Sequence, residues 1–229
     1  GSFTAGVAAS AKRQVNLPTI PIETTGTNTW MTPLDDDILL SQISIPGTNQ
    51  SFTYSAGSLQ SNTQYQSIAN QLNMGIRAFD LSVAWSSNNF YTYMSQLTPA
   101  QSGQYTALST IFGAFKTFLT ATATKDECIV VVMNRYTEAG NQSNYQSNMQ
   151  SFLSGYPCVT APDLSALTLG DCRGKILVLA RDTYTNGPVG AYVTNFSHQN
   201  ALQTGTVSRG TVSVPLHVQY YYHGDNSFS

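Results

Sequence analysis

Charge is what this sequence has least of. Asp, Glu, Lys and Arg make up 10% of its 229 residues, against roughly 25% in an ordinary soluble domain. The net charge is −2 and no cluster of Lys and Arg occurs along the chain, so no basic face is expected for a nucleic-acid backbone. Long apolar runs are also missing. The longest, Cys128 to Met133, suits one buried strand and falls far short of the roughly 18 residues that cross a bilayer, so no membrane span is expected. Histidine is confined to His198, His217 and His223, and residues 1–197 contain none. Cysteine is limited to three positions. Cys158 and Cys172 flank a short Pro-containing loop and are able to pair, or all three are free buried thiols; both readings stay open.

Neutral polar residues stand in for the missing charge. Ser, Thr, Asn and Gln account for 84 residues, a composition more typical of secreted or cell-surface chains than of cytosolic enzymes. The opening Gly1-Ser2 reads as a tag-cleavage scar, so a missing signal peptide says nothing about export. Hydrophobic residues at 41% and aromatics at 11% are enough to bury a core that offsets the entropy lost on folding.

Residues 1–29 are rich in Thr, Pro and Gly without periodicity and read as an irregular arm, leaving one domain over 30–229. Asp35, Asp36 and Asp37 precede an apolar run and read as a helix cap. Strands are expected at Gln42 to Pro46, Ile76 to Trp85, Phe90 to Met94, Ile129 to Asn134, Lys175 to Arg181 and Val212 to Tyr222. Helices are expected at Gln64 to Asn73, Tyr105 to Ala123 and Tyr145 to Leu153. This βα succession, with near-continuous apolar strands, suits an α/β fold whose parallel sheet or barrel is covered by helices.

Four segments carry a specific resemblance. Ser44-Ile45-Pro46-Gly47-Thr48-Asn49-Gln50-Ser51, then Gln71-Leu72-Asn73-Met74-Gly75-Ile76-Arg77-Ala78-Phe79-Asp80-Leu81, then Leu169-Gly170-Asp171-Cys172-Arg173-Gly174-Lys175, then Val218-Gln219-Tyr220-Tyr221-Tyr222 keep the order and approximate spacing of motifs in the bacterial phosphatidylinositol-specific phospholipase C family. The resemblance implies a distorted TIM-type barrel with its site at the C-terminal ends of the strands. It also implies acid–base cleavage of a phosphodiester, in which the inositol 2-hydroxyl attacks phosphorus. That reaction uses a His with an adjacent Asp after the first strand, an Arg after the second and a His after the third.

The chain departs from the pattern at each of these positions. Asn49 stands at the first His, Gln50 at the adjacent Asp and Ser82 at the Arg, while the stretch from Tyr91 to Ser95 holds no imidazole. Amides have no proton-transfer pKa near neutrality and a hydroxyl carries no positive charge. Calcium, used by eukaryotic relatives, wants several clustered oxygens of negative charge; Asp80 is the one acidic residue at the matching strand, so no metal or other cofactor is expected.

Part of the ligand-binding pattern survives. Arg181 matches an Arg that contacts inositol hydroxyls and Tyr222 a Tyr that stacks on the ring; the family's inward-facing Lys and Glu of the fourth strand are replaced around Asn134, Arg135 and Tyr136, which with Asp80 on the second strand and Trp85 nearby are still able to line a pocket for a polyol or sugar. The equally weighted reading is that the tyrosines simply fill the barrel mouth. The family barrel continues past the fourth motif with further strands, whereas this sequence ends at Ser229. The barrel therefore lacks its last strands, which a second polypeptide, a shortened closure or a longer parent chain would have to supply.

The expectation is a non-catalytic, secreted or surface domain binding an inositol, polyol or glycan. One alternative is an active phosphodiesterase with a rearranged site built on His223, Asp225 and Arg181. The other is an interaction domain of a larger extracellular assembly, for which the N-x-Ser sequons at Asn49, Asn141 and Asn195 are relevant.

Overall fold

The computed structural model describes residues 2–3, 27–55, 64–93, 104–136, 144–159, 162–181, 190–194 and 201–220. Their elements are strands β1 (Ser2–Phe3), β2 (Gly47–Thr48), β3 (Ala78–Ser86), β4 (Asn89–Tyr93), β5 (Gln104–Ala107), β6 (Ile129–Arg135), β7 (Cys158–Val159), β8 (Ile176–Ala180), β9 (Ala191–Thr194), β10 (Ala201–Arg209) and β11 (Val212–Tyr220). The helices are α1 (Ile68–Asn73), α2 (Leu108–Thr120), α3 (Tyr145–Leu153) and α4 (Leu169–Cys172).

One mixed sheet runs β1-β11-β10-β9-β8-β6-β3-β4-β5, with β2 on β3 and β7 on β8. Its centre is parallel: β2 with β3, β3 with β6, β6 with β8 and β8 with β9. β1 pairs with the outer edge of β11, and among the described residues no ladder joins β1 to β2, so the sheet does not close.

Period-2 alternation divides the central strands between two cores. Phe79, Leu81, Val83, Ile129, Val131, Met133, Ile176 and Val178 face the helices, where they pack with Phe112 and Phe115 of α2 and Tyr145 and Met149 of α3. Ala78, Val130, Val132, Leu177, Leu179 and Val193 line the other, inner face. Edge-on aromatic contacts bind the helical layer: Phe90 meets Tyr145 at 5.3 Å, and Phe112 meets Phe152 at 5.3 Å.

Several local expectations are corrected. In place of a strand over Gln42 to Pro46 there is a 3-10 turn at Leu40–Gln42 and the two-residue β2. Pro46 has no N–H for a ladder, and its carbonyl instead accepts from the amides of both Arg77 and Ala78. The Asp triplet caps no helix: the residue before the 3-10 turn is Leu39, without a side-chain cap, and Asp36 pairs with Arg173. The helix expected from Tyr105 begins at Leu108, because Gln104–Ala107 pairs with β4. β9 and β10 were not expected. β10 and β11 form a hairpin across the two residues Gly210 and Thr211, with Gly210 at φ 57 supplying the left-handed turn. All three cysteines are free thiols. No helix among the described residues is long and apolar enough to cross a membrane.

Candidate functional site

The parallel strands end together on one rim. After β2 the chain turns sharply at Gln50, whose φ of 45 places it in the left-handed region. The turn is latched to β3: the Gln50 amide lies 3.3 Å from Asp80 Oδ2, the Ser51 amide donates to the Asp80 carbonyl, and the Asp80 amide donates to Ser51 Oγ. Helix α1 holds it from the other side. Gln71 Nε2 donates to the Ser51 carbonyl at 2.9 Å, and the Thr48 hydroxyl lies 2.7 Å from Gln71 Oε1. Gln64 Nε2 donates to the Asn49 carbonyl at 2.7 Å. Asn49 and Asp80 are consequently buried, at 6% and 7% exposure.

Register assigns the remaining positions. Asp80 pairs with Val132 and Ser82 with Asn134 across β3 and β6, while Met133 pairs with Ala180 across β6 and β8. The Arg181 amide continues that ladder by donating to the Met133 carbonyl at 2.9 Å. Counting in steps of two from the inner residues Ala78, Val130 and Leu177 puts Asp80, Ser82, Asn134 and Arg181 on the inner face at its C-terminal edge. Asn49, Gln50, Asp80, Ser82, Asn134 and Arg181 are thus brought to one rim.

Trp85 is not brought there. It follows Leu81 and Val83 on the helix-covered face, meeting Phe90 edge-on at 4.7 Å. Tyr136 is at the rim, its amide donating to the Val83 carbonyl, and its ring stacks on Tyr93 with centroids 5.5 Å apart and planes 13° from parallel. Tyr93 was missed by the sequence reading. The alternation of β4, with Phe90 in the helical core, was the signal that places Tyr91 and Tyr93 inward. Tyr222, His223 and Asp225 lie outside the described residues, as do His198, Asn141 and Asn195. His217 lies on β11 opposite Thr204, beside an apolar cavity lined by Leu40, Ile45, Val130, Leu177 and Val214.

Among the described residues this rim offers hydroxyls, carboxamides, the carboxylate of Asp80 and the guanidinium of Arg181. It suits hydrogen bonding to a polyhydroxylated ligand. Among the described residues no three His, Cys, Asp or Glu side chains gather to hold a metal.

Solved structures share this fold. A phosphatidylinositol-specific phospholipase C from Staphylococcus aureus superposes with a TM-score of 0.65 at 20% identity, covering 82% of this chain and 65% of that one. The fold is that of bacterial phosphatidylinositol-specific phospholipase C. The H258Y mutant of the S. aureus enzyme gives a TM-score of 0.67 at 19% identity, and the Listeria monocytogenes enzyme 0.53 at 25% identity over 70% of this chain and 58% of that one. The phospholipase C-like barrel described here therefore spans less than two thirds of the length of these neighbours. No family model matches the chain.

Proposed function

We propose that this chain is a non-catalytic phospholipase C-like domain that holds an inositol, polyol or glycan ligand at the C-terminal rim of its strands, in a secreted or surface setting. One observation carries the reading: Asn49, Gln50 and Ser82 occupy the rim where the resemblance would require a base, its carboxylate and a phosphate-holding cation. None of the three can transfer a proton near neutral pH or offset phosphate charge. Arg181, Asn134, Asp80 and Tyr136 remain to form hydrogen bonds and stacking contacts.

Incubation with phosphatidylinositol vesicles tests it directly. The expected yield of inositol cyclic phosphate equals that of a protein-free blank; turnover above the blank would remove the reading and revive a rearranged phosphodiesterase using His223 and Asp225. The polar, charge-poor composition supports the secreted or surface setting.

A second reading, an interaction domain completed by another polypeptide, is supported by the sheet's remaining open among the described residues, with β5 at one end and β1 at the other. An edge of this kind accepts a further strand. Sedimentation of the pure chain as a monomer at all accessible concentrations, with no change on adding candidate partners, would count against it.

A further inference from the structure

We infer that the inner face below the rim contains a binding cavity for the end of an unbranched aliphatic chain, that of a free fatty acid, admitted round the outer edge of β11. The inference goes beyond the rim reading above and does not depend on it.

The inner face supplies the walls. The cavity has a volume of about 110 Å³, and Val130 and Leu177, the second residues of β6 and β8, form one side of it with Leu179. Leu40 and Leu167 close the end nearest the N-termini of the strands, joined by the Leu40 amide donating to the Leu167 carbonyl at 2.9 Å. The interior of a TIM-type barrel is ordinarily filled by layers of branched side chains; here that filling is interrupted. An apolar cavity of about 150 Å³ lined by Leu and Ile stays dry and takes a molecule the size of benzene. By the same measure this one accommodates about four or five carbons.

Strand β11 decides what enters. Four consecutive residues, Val214, Pro215, Leu216 and His217, line the cavity, although neighbours on a strand point to opposite faces. The cavity therefore passes round the outer edge of β11, where Val214 and Leu216 are half-buried and Pro215 is exposed. The two-residue turn makes Arg209 and Val212 a hydrogen-bonded pair, and counting in twos Val214 and Leu216 also bond to β10. Ser213, Pro215 and His217 then present their backbone groups to the outer edge, where Pro215 has no N–H to give. β1 pairs further along, at Val218 and Gln219. A peptide strand laid beside the cavity would break its ladder at Pro215. A hydrocarbon needs no ladder and gains by burial against Leu, Ile and Val, its polar head staying outside near Ser41 and His217. A free chain can lead with its terminal carbons, whereas a bilayer keeps those at its centre.

The experiment is titration calorimetry of the full chain with butanoate and octanoate, each below its micelle concentration. Octanoate is expected to bind about tenfold or more tighter than butanoate. Val130→Phe, which fills the cavity, should weaken octanoate about tenfold or more. Circular dichroism verifies that the variant is folded; should it fail to fold, Leu179→Phe takes its place. A crystal grown with ω-bromooctanoate, which needs no variant, should place the bromine among Val130, Leu177 and Leu216. Octanoate no tighter than butanoate, unchanged affinity in the folded Phe variant, or bromine outside the cavity overturns the inference. So does failure to bind octanoate, even where phosphatidylcholine vesicles bind.

Discussion

Arg77 Nε lies 2.9 Å from Glu127 Oε2, and neither side chain is exposed to solvent. Around this pair the N-terminal end of the barrel is assembled. Arg77 donates to the carbonyls of Leu72, Ile76 and Asn28 and lies over the Phe118 ring at 4.5 Å. Glu127 Oε1 accepts from the amides of Met31 and Thr32 and from the Thr32 hydroxyl. Burial lowers the Arg77 pKa, and the carboxylate of Glu127 opposes that shift. Removing one partner strands a buried charge, at a cost of about 3–5 kcal/mol. Glu127→Leu should therefore lower the melting temperature by about 10 °C. Arg77→Met with Glu127→Leu should lose less than the two single changes together. Additive losses in a double-mutant cycle would show that the two side chains act independently.

Two glycines are expected to respond oppositely to the same substitution. Gly190 has φ +123, and a Cβ there would collide with the Val178 carbonyl oxygen on β8. Gly190→Ala must push β9 off β8 or strain the backbone, costing about 3 kcal/mol or more. Gly113, inside α2, has nothing within 4 Å of the added carbon, so Gly113→Ala should stabilise by about 0.5–1 kcal/mol through helix propensity. Urea midpoints measure both, and a harmless Gly190→Ala would refute the close approach.

The three thiols make stability fall in alkali. Burial pushes Cys158 and Cys172 up to about 12, and Cys128 higher still, with Cys172 adding to the rise. In the unfolded chain a thiol ionises near 8.5. A group whose folded pKa is raised contributes fully below the unfolded value and loses that contribution as pH climbs toward the folded one. The melting temperature should hold up to about pH 8.5 and decline above it, more steeply than in a Cys128→Ala, Cys158→Ala, Cys172→Ala variant. At pH 8 a thiol reagent should modify the native protein slowly and all three cysteines in urea without reductant. Fewer than three reactive thiols would mean a disulfide.

At the start of α4 the effect runs toward acid. Thr168 and Asp171 form a reciprocal capping box: Thr168 donates its amide and hydroxyl to Asp171 Oδ2, and Asp171 returns its amide to Thr168 Oγ1. The Thr168 amide and hydroxyl hold the Asp171 carboxyl below its ordinary value, and Lys175 adds to this. A depressed folded pKa stabilises above the unfolded value, about 3.9, and that contribution disappears as pH falls through the folded pKa. Thr168→Val should thus lower stability at pH 7, and the gap to the parent protein should narrow as pH falls below about 4. A gap that is constant from pH 7 to pH 2 would rule out the carboxylate's part.

Much of the barrel could be read in advance wherever a single element carried its own signal. The apolar stripe of α2 and the boundaries of α3 needed only helical periodicity, and β3, β6 and β8 needed only their apolar runs. The order of four motifs pointed to the phospholipase C-like fold. β10 escaped because Ala201 to Arg209 holds Gln, Thr, Gly and Ser among few apolar residues, and it becomes a strand through its hairpin partner and β9. Trp85 was grouped with the rim by proximity in sequence, although alternation from Asp80 sends it to the other face of β3.

The identities of Asn49, Gln50 and Ser82, and so the absence of proton-transfer groups and of a clamping cation at those positions, are properties of the sequence, because the chemistry of a side chain does not depend on where the fold carries it. That Arg77 and Glu127, 50 residues apart, share one buried site, and that the rings of Tyr93 and Tyr136 stack, was decided by tertiary structure alone. Strand register brings distant residues side by side, and register follows from how whole strands pair rather than from the residues that come to touch.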